Sequence, residues 1–201
     1  MATIAIQYTR PGAVSQDMPK VRATAKTVVI CGSGRCLWDD LTALGPIDAD
    51  LMAVNYAGIF LHKPLHWVSV HAEDFQWMLP LRMTKVVAPQ GLLCERIETH
   101  SYRSCVGVLH VWPKLIMNPS NGSSSICAVR VALAMGYERA ILAGVPLDGT
   151  GHFYDPPQNL WPQRLDDFSC FDDPWRQAAK HEFGGRVRSM SGLTRDILGP
   201  P

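Results

Sequence analysis

The chain is short of charge, and the charge it has is balanced. Asp, Glu, Lys and Arg make up 18% of its 201 residues, and the formal net charge is +1. Duplex nucleic acid is held by a bulk positive field, so it is a poor fit as the main partner. No run reaches the roughly 18 apolar residues that span a bilayer, so no membrane partner is expected. The first 20 residues also lack the apolar stretch of a secretory signal. Six cysteines are present but none forms a CxxC pair, so no zinc site of closely spaced thiolates is expected. Several sit inside apolar runs and read as small core residues, which suits a reducing, cytoplasmic setting. There is no internal repeat and no low-complexity tract.

What is there is enough apolar material, 47% of residues, for one continuous core. Residues 1–26 read as a lead-in with a short edge strand at Thr3–Tyr8. Residues 27–201 read as one Rossmann-like α/β domain, a mostly parallel sheet flanked by helices. The expected strands are Thr27–Cys31, Leu51–Asn55, His66–His71, Lys85–Pro89, Gly107–Trp112, Glu138–Val145 and Arg186–Met190. The expected helices are Arg35–Leu44, Glu73–Leu81, Ser123–Met135 and Pro174–Phe183. Residues 90–104 carry too weak a pattern to place. Residues 146–174, rich in Pro, Asp, Gly and aromatics, read as a lid loop.

In a parallel sheet ligands bind beyond the carboxyl ends of the strands. That rule selects the turn Gly32-Ser33-Gly34, Asn55, the group His71, Glu73 and Asp74, and the loop with Asp148, His152, Tyr154 and Asp155. The serine-rich start of a helix, Gly122, Ser123 and Ser124, should join them. Glycines permit positive φ and close backbone approach, and a helix start offers unpaired amides to an anion. Each feature also has a structural use: a plain strand-to-helix turn, an N-cap, or first-turn carboxylates that complement the helix dipole. His181 falls on a short helix and reads as a surface or packing residue.

The residues Val29 to Leu37, VICGSGRCL, resemble the strand-turn signature of a superfamily. It contains the Campylobacter-type bacterial sialyltransferases and the MptE-like proteins, some of them pterin diphosphokinases. The run from Ser123 to Val145, SSSICAVRVALAMGYERAILAGV, is similar to that superfamily's helix-strand block. His152-Phe153-Tyr154-Asp155 resembles the motif that follows it in the sialyltransferases. The resemblance covers residues 27–155. It implies a nucleotide or nucleotide-sugar donor, with Ser33 and Asn55 near the donor, Gly122, Ser123 and Ser124 near the nucleotide, and Tyr154 near the leaving phosphate. The chain departs from the pattern in several places. Ser33 replaces an Asn, Arg35-Cys36 replaces Pro-Ser, Pro146 replaces an Asp, and the sialyltransferase histidine has no counterpart in register.

These observations give a leading expectation and two others. The first is a transferase that moves a sugar from a CMP-sugar type of donor to a small-molecule or glycan acceptor. His152 would take the acceptor proton, Tyr154 and Asp155 would share the catalytic loop, and no cofactor or metal would be required. The second is an MptE-like diphosphokinase using ATP and Mg²⁺, with Asp74, Asp148 and Asp155 as carboxylates for the ion. The third is an inactive nucleotide-binding or interaction protein, with tryptophans such as Trp161 and Trp175 forming an interface, for instance in a homo-oligomer.

Overall fold

The computed structural model of the chain describes residues 17–88, 96–118, 123–156 and 169–201. The expected strand at Thr3–Tyr8, Gly122 and Trp161 lie outside the described residues. The strands are β1 (Thr27–Cys31), β2 (Asp50–Val54), β3 (His66–Val68), β4 (Glu98–Ser101), β5 (His110–Val111), β6 (Arg139–Ala143) and β7 (Val187–Ser189). They form one sheet in the order β5-β4-β3-β2-β1-β6-β7, and every pairing is parallel. The helices are α1 (Leu37–Leu44), α2 (Ala57–Phe60), α3 (Phe75–Arg82), α4 (Ser124–Met135), α5 (Ser169–His181) and α6 (Gly192–Leu198). The strand order runs outward from β1 to β5 and then resumes on the other side of β1 with β6. The point of reversal therefore lies between β1 and β6, where a crevice is expected.

The central strands read as continuous apolar runs because both of their faces are covered. Val28 and Ile30 of β1 join Met52, Val54, Ala140 and Leu142 in a core with α4, Trp175 of α5 and Leu198. Val29 and Cys31 point the other way, into a second core with Leu37, Ala57, Trp67, Phe75 and Met78. Trp175 is fully buried in the first of these cores and so cannot serve the interface expected of it.

Three expectations need correction. The run read as a strand at Lys85–Pro89 is a wide, π-type helical turn, Met83–Val87, that continues α3. Pro80 sits inside α3 and cannot donate to its i−4 carbonyl, yet the helix runs on past it into the wide turn. Val86 and Val87 bury themselves from that turn, so a short apolar run did not distinguish strand from buried helix. The true fourth strand, β4, lies in the stretch left unplaced. It has the polar sequence ETHS yet is buried at Thr99, His100 and Ser101. Finally, α5 begins at Ser169, before Pro174, so the expected loop gives way to helix at its C-terminal end.

Thr99 and His100 of this strand are buried with their side chains paired, whereas Ser101 Oγ is buried without a partner. Thr99 Oγ1 donates to Gly107 O (2.6 Å) and accepts from Leu109 N (2.9 Å). The indole of Trp112 donates to His100 Nδ1 (3.0 Å), which leaves the proton of neutral His100 on Nε2. That nitrogen meets His66 Nδ1 (3.2 Å), His66 Nε2 meets the Tyr137 hydroxyl (3.1 Å), and Tyr137 donates to Asp50 Oδ2 (2.5 Å). Direction is thus consistent along the chain of bonds, with both imidazoles neutral. Asp50 also accepts from Thr24 and from the amide of Ala25, which ties the lead-in to β2.

Burial lowers the pKa of His66 from 6.5 to about 4, against the opposing pull of the Asp50 and Glu98 carboxylates. Burial also holds His100 well below the ordinary value. A depressed histidine contributes stability that is complete above its unfolded pKa. That stability is lost as pH falls from 6.5 toward 4, because only the unfolded chain takes up the proton there. His66 alone should cost about 3 kcal/mol of unfolding free energy across that window. Urea titrations at a series of pH values measure it. A pH-independent midpoint between pH 6.5 and 4 would contradict the buried neutral chain.

Candidate functional site

Beyond the carboxyl ends of β1, β2 and β6 the chain encloses a cleft of about 390 Å³. Its lining includes Gly32, Ser33, Gly34, Asn55, Ser123, Ser124, His152 and Tyr154, together with His71, Asp74 and Asp148. The cleft thus brings together the sequence-selected residues, apart from Gly122, outside the described residues, Glu73, and Asp155, which bonds His152. Glu73 pairs with Arg103, and His181 ends α5 on the surface. Tyr56, Ser125, Leu147 and Phe171 line the cleft and were not singled out. Tyr56 directly follows the strand-ending Asn55, so the strand-end rule could have found it.

The glycines of the first turn are present for a different reason from the one expected. Neither Gly32 nor Gly34 has a positive φ among the described residues. A Cβ on Gly32 would lie 2.4 Å from the carbonyl oxygen of Gly144, and one on Gly34 would lie 2.5 Å from Pro146 Cδ. Their amides donate to Ala143 O and Gly144 O (2.8 Å each), and the Arg35 amide donates to Gly151 O (3.1 Å). The turn is closed against the continuation of β6, and those amides are already engaged. Gly144 itself has φ +66, with a Cβ position 2.8 Å from Gly32 O. Asp40 of α1 fixes this junction: Oδ2 accepts from the Gly144 amide (2.8 Å) and from the Ser191 hydroxyl (2.8 Å). Asp40 is buried within the stripe of Leu37, Leu41 and Leu44, a position that gave a readable signal for a structural carboxylate.

Two residues of the lining carry polar atoms without partners. Ser33 Oγ and Asn55 Oδ1 are buried atoms with no hydrogen-bond partner. Asn55 holds φ +49, a left-handed conformation that Asn tolerates better than most residues. Its carbonyl is pinned by the Trp67 indole (2.7 Å) and by the Gly58 amide (3.1 Å). The N-cap of α4, Ser123, is extended and its side chain makes no capping bond. The first-turn amides of this helix, which have no intrahelical partner, therefore start at the cleft lining without a cap from the Ser123 side chain.

The loop from Leu147 folds back over the turn. Gly34 and His152 form an antiparallel bridge, and the Phe153 amide donates to Ser33 O (3.1 Å). Phe153 packs edge-on against Trp38 and Phe60. Tyr154 stacks with two rings: Tyr56 at 4.8 Å and His152 at 5.0 Å, with only 6° between the His152 and Tyr154 planes. Burial, then the neighbouring Asp155 carboxylate and Tyr56, raise the pKa of Tyr154, so its phenol stays an O–H donor at neutral pH. The carboxylates considered for magnesium are engaged separately. Asp155 bonds His152, Asp148 caps Thr150 and Asp74 accepts from Trp77. No group of three metal-ligating residues occurs among the described residues.

A second, larger groove of about 600 Å³ is lined by Lys114, Ile116, Arg130, Leu133, Glu182 and Arg186, among others. It carries none of the selected residues, and Arg130 there is already in a two-pronged pair with Glu182 (2.7 Å each). The crevice at the strand reversal is the better candidate.

A scan against family models and a comparison with curated proteins returned no match. Solved structures do share the fold. The monofunctional alpha-2,3-sialyltransferase Cst-I from Campylobacter jejuni is 10% identical, with a TM-score of 0.56 over 94% of this chain and 84% of that one. The sialyltransferase CstII from Campylobacter jejuni, solved with cytidine-5'-monophosphate, is 13% identical, with a TM-score of 0.54 over 89% and 85%. CST-II with a trisaccharide acceptor and CMP is 14% identical, with a TM-score of 0.54 over 87% and 86%. The architecture is thus that of the Campylobacter sialyltransferases. Among the described residues no helix is long and apolar enough to cross a membrane.

Gly32→Ala tests the closed junction. Its Cβ meets backbone rather than a flexible side chain, so the variant should lose about 2 kcal/mol of stability by urea unfolding. An unchanged midpoint would mean that β1 and β6 do not approach as described.

Proposed function

We propose that the chain is a transferase that binds a nucleotide-activated sugar, of the CMP-sugar type, in the cleft and moves the sugar to an acceptor. The observation that carries this reading is the pair of buried, unpartnered polar atoms, Ser33 Oγ and Asn55 Oδ1, on two residues that line one cleft. Buried polar atoms without partners are costly, and a ligand that pairs them recovers that cost. A serine hydroxyl can donate to phosphate or ribose oxygen, and an amide oxygen accepts from a hydroxyl or an exocyclic amine. The start of α4 adds amides and a partial positive charge suited to a phosphate.

The reaction on this reading is a direct displacement at the sugar carbon. The nucleotide phosphate leaves with the bonding electrons. The Tyr154 phenol, stacked with Tyr56 and His152, and the α4 amides are donors for the growing charge. CMP bound in the CstII structures is consistent with this choice of nucleotide. The dispersed engagement of Asp74, Asp148 and Asp155 gives the ATP-and-magnesium reading no comparable observation.

Thermal shift and calorimetry against CMP, CDP, UDP, GDP and ATP, each with and without Mg²⁺, test the proposal. CMP should raise the melting temperature without magnesium, since at a hundredfold excess over Kd a ligand adds about 2.7 kcal/mol to native stability. Ser33→Ala and Asn55→Ala should each weaken CMP about tenfold. No response to any nucleotide, or a response only to ATP with Mg²⁺, would reject it.

A further inference from the structure

Among the described residues three Trp, Tyr or Phe side chains are exposed: Trp38 (44%), Trp77 (38%) and Tyr154 (37%). They are not scattered. Trp38 meets Phe153 (5.5 Å between ring centroids), Phe153 meets Tyr154 (5.3 Å), Tyr154 stacks on Tyr56 (4.8 Å), and Tyr56 meets Trp77 (5.1 Å). Rings from α1, from the loop after β6, from the turn after β2 and from α3 thus make one connected band. Single exposed aromatics are ordinary, whereas a connected strip that borders a cleft marks a binding surface. The cores do not account for it: α1 and α3 bury Leu37, Phe75 and Met78 and leave Trp38 and Trp77 outside. Tyr56 and Tyr154 belong both to the band and to the cleft lining, so whatever lies on these rings is adjacent to the donor cleft.

Resting on the transferase reading above, we infer that the Trp77 end of this band is the acceptor subsite, and that it takes an uncharged oligosaccharide with one pyranose ring stacked on Trp77. One face of a pyranose such as galactose is a patch of C–H groups, apolar and slightly positive, which matches the negative face of an aromatic ring. The hydroxyls around its edge need polar partners. Asp74, which accepts from the Trp77 indole (3.3 Å), supplies a carboxylate there and also lines the cleft. A second carboxylate, Asp155, lies beside Tyr154. Two carboxylates next to these rings disfavour an acidic sugar and leave a neutral one unopposed. The cation of the band is at its other end, where Lys85 sits over Phe60 (5.4 Å) and Phe60 packs edge-on against Phe153. Aromatic rings have few rotatable bonds, and each ring here is braced by the next, so a sugar finds the surface already formed.

Titration of the full chain with lactose, followed by the ¹H–¹⁵N signals of the tryptophan indoles, reads the subsite without any nucleotide. The Trp77 indole should shift, while those of the buried Trp67, Trp112 and Trp175 stay in place. Sialylated lactose should bind more weakly than lactose. A Trp77 signal unmoved at about 100 mM lactose, far above the range of weak complexes, overturns the inference, and so does tighter binding of the sialylated sugar. Kinetics follow CMP release from CMP-sialic acid with lactose as acceptor. Trp77→Ala should raise the KM for lactose about tenfold, with kcat and calorimetric CMP affinity within about twofold of wild type. Trp77→Phe keeps an aromatic face and should recover most of the loss. An unchanged KM in Trp77→Ala, or a CMP affinity that falls with it, overturns the inference, the latter because it would place the nucleotide on the band. Failure of wild type to bind CMP sinks the transferase reading instead, and the two failures are read from different experiments.

Discussion

The site depends on how closely two strands meet. At the carboxyl ends of β1 and β6, Gly32, Gly34 and Gly144 bring backbone against backbone at distances no side chain would allow. Pairing continues past the last strand residues, through the amides of Gly32 and Gly34. A buried carboxylate, Asp40, reaches from α1 to the Gly144 amide and to Ser191 before α6, and so joins the two ends to a helix on one side and to the C-terminal segment on the other. Thr194 adds a bond to Val145 O (2.6 Å), and the Leu193 amide one to Pro146 O (2.8 Å). With residues 144–146 fixed, the chain beyond them folds back over the first turn and sets His152 and Tyr154 in the cleft.

That closure redistributes the roles expected of the first turn. The backbone of a glycine turn offers amides to a phosphate only when they are free, and here they serve the sheet. The polar work in the cleft passes to side chains and to the other helix start. Ser33 contributes its hydroxyl, Asn55 its carboxamide, and α4 an N-terminus whose cap serine does not bond back to it. Aromatic packing supplies the rigidity. Tyr56, Tyr154 and His152 form one stack, so a loop with little regular structure is still held at defined positions.

Much of this was legible before the structure. The buried strands β1, β2 and β6 and the helix α4 announced themselves by β-branched or helical periodicity, and the strand-end rule gathered the residues that line the cleft. What escaped notice depends on tertiary pairing. β4 has no apolar signature because Thr99 and His100 are satisfied by Gly107, Leu109, Trp112 and His66, partners that sequence spacing does not reveal. Lys85–Val87 looks like a strand because a short apolar run reads the same in a strand and in a buried helical turn. The close approach of Gly32 to Gly144 joins positions far apart in the chain, so a reading of the turn alone assigned its glycines to positive φ and to a phosphate's approach rather than to packing against the end of β6.

The account stands or falls on where a nucleotide binds. Titration of ¹⁵N-labelled protein with CMP, followed by amide chemical shifts, is the most direct measurement. The perturbed amides should be those of Ser33, Asn55–Tyr56, Ser123–Ile126 and Leu147–Tyr154, around the reversal point of the sheet. Perturbation centred instead on the groove of Lys114, Arg130 and Arg186, or none at saturating CMP, would contradict it.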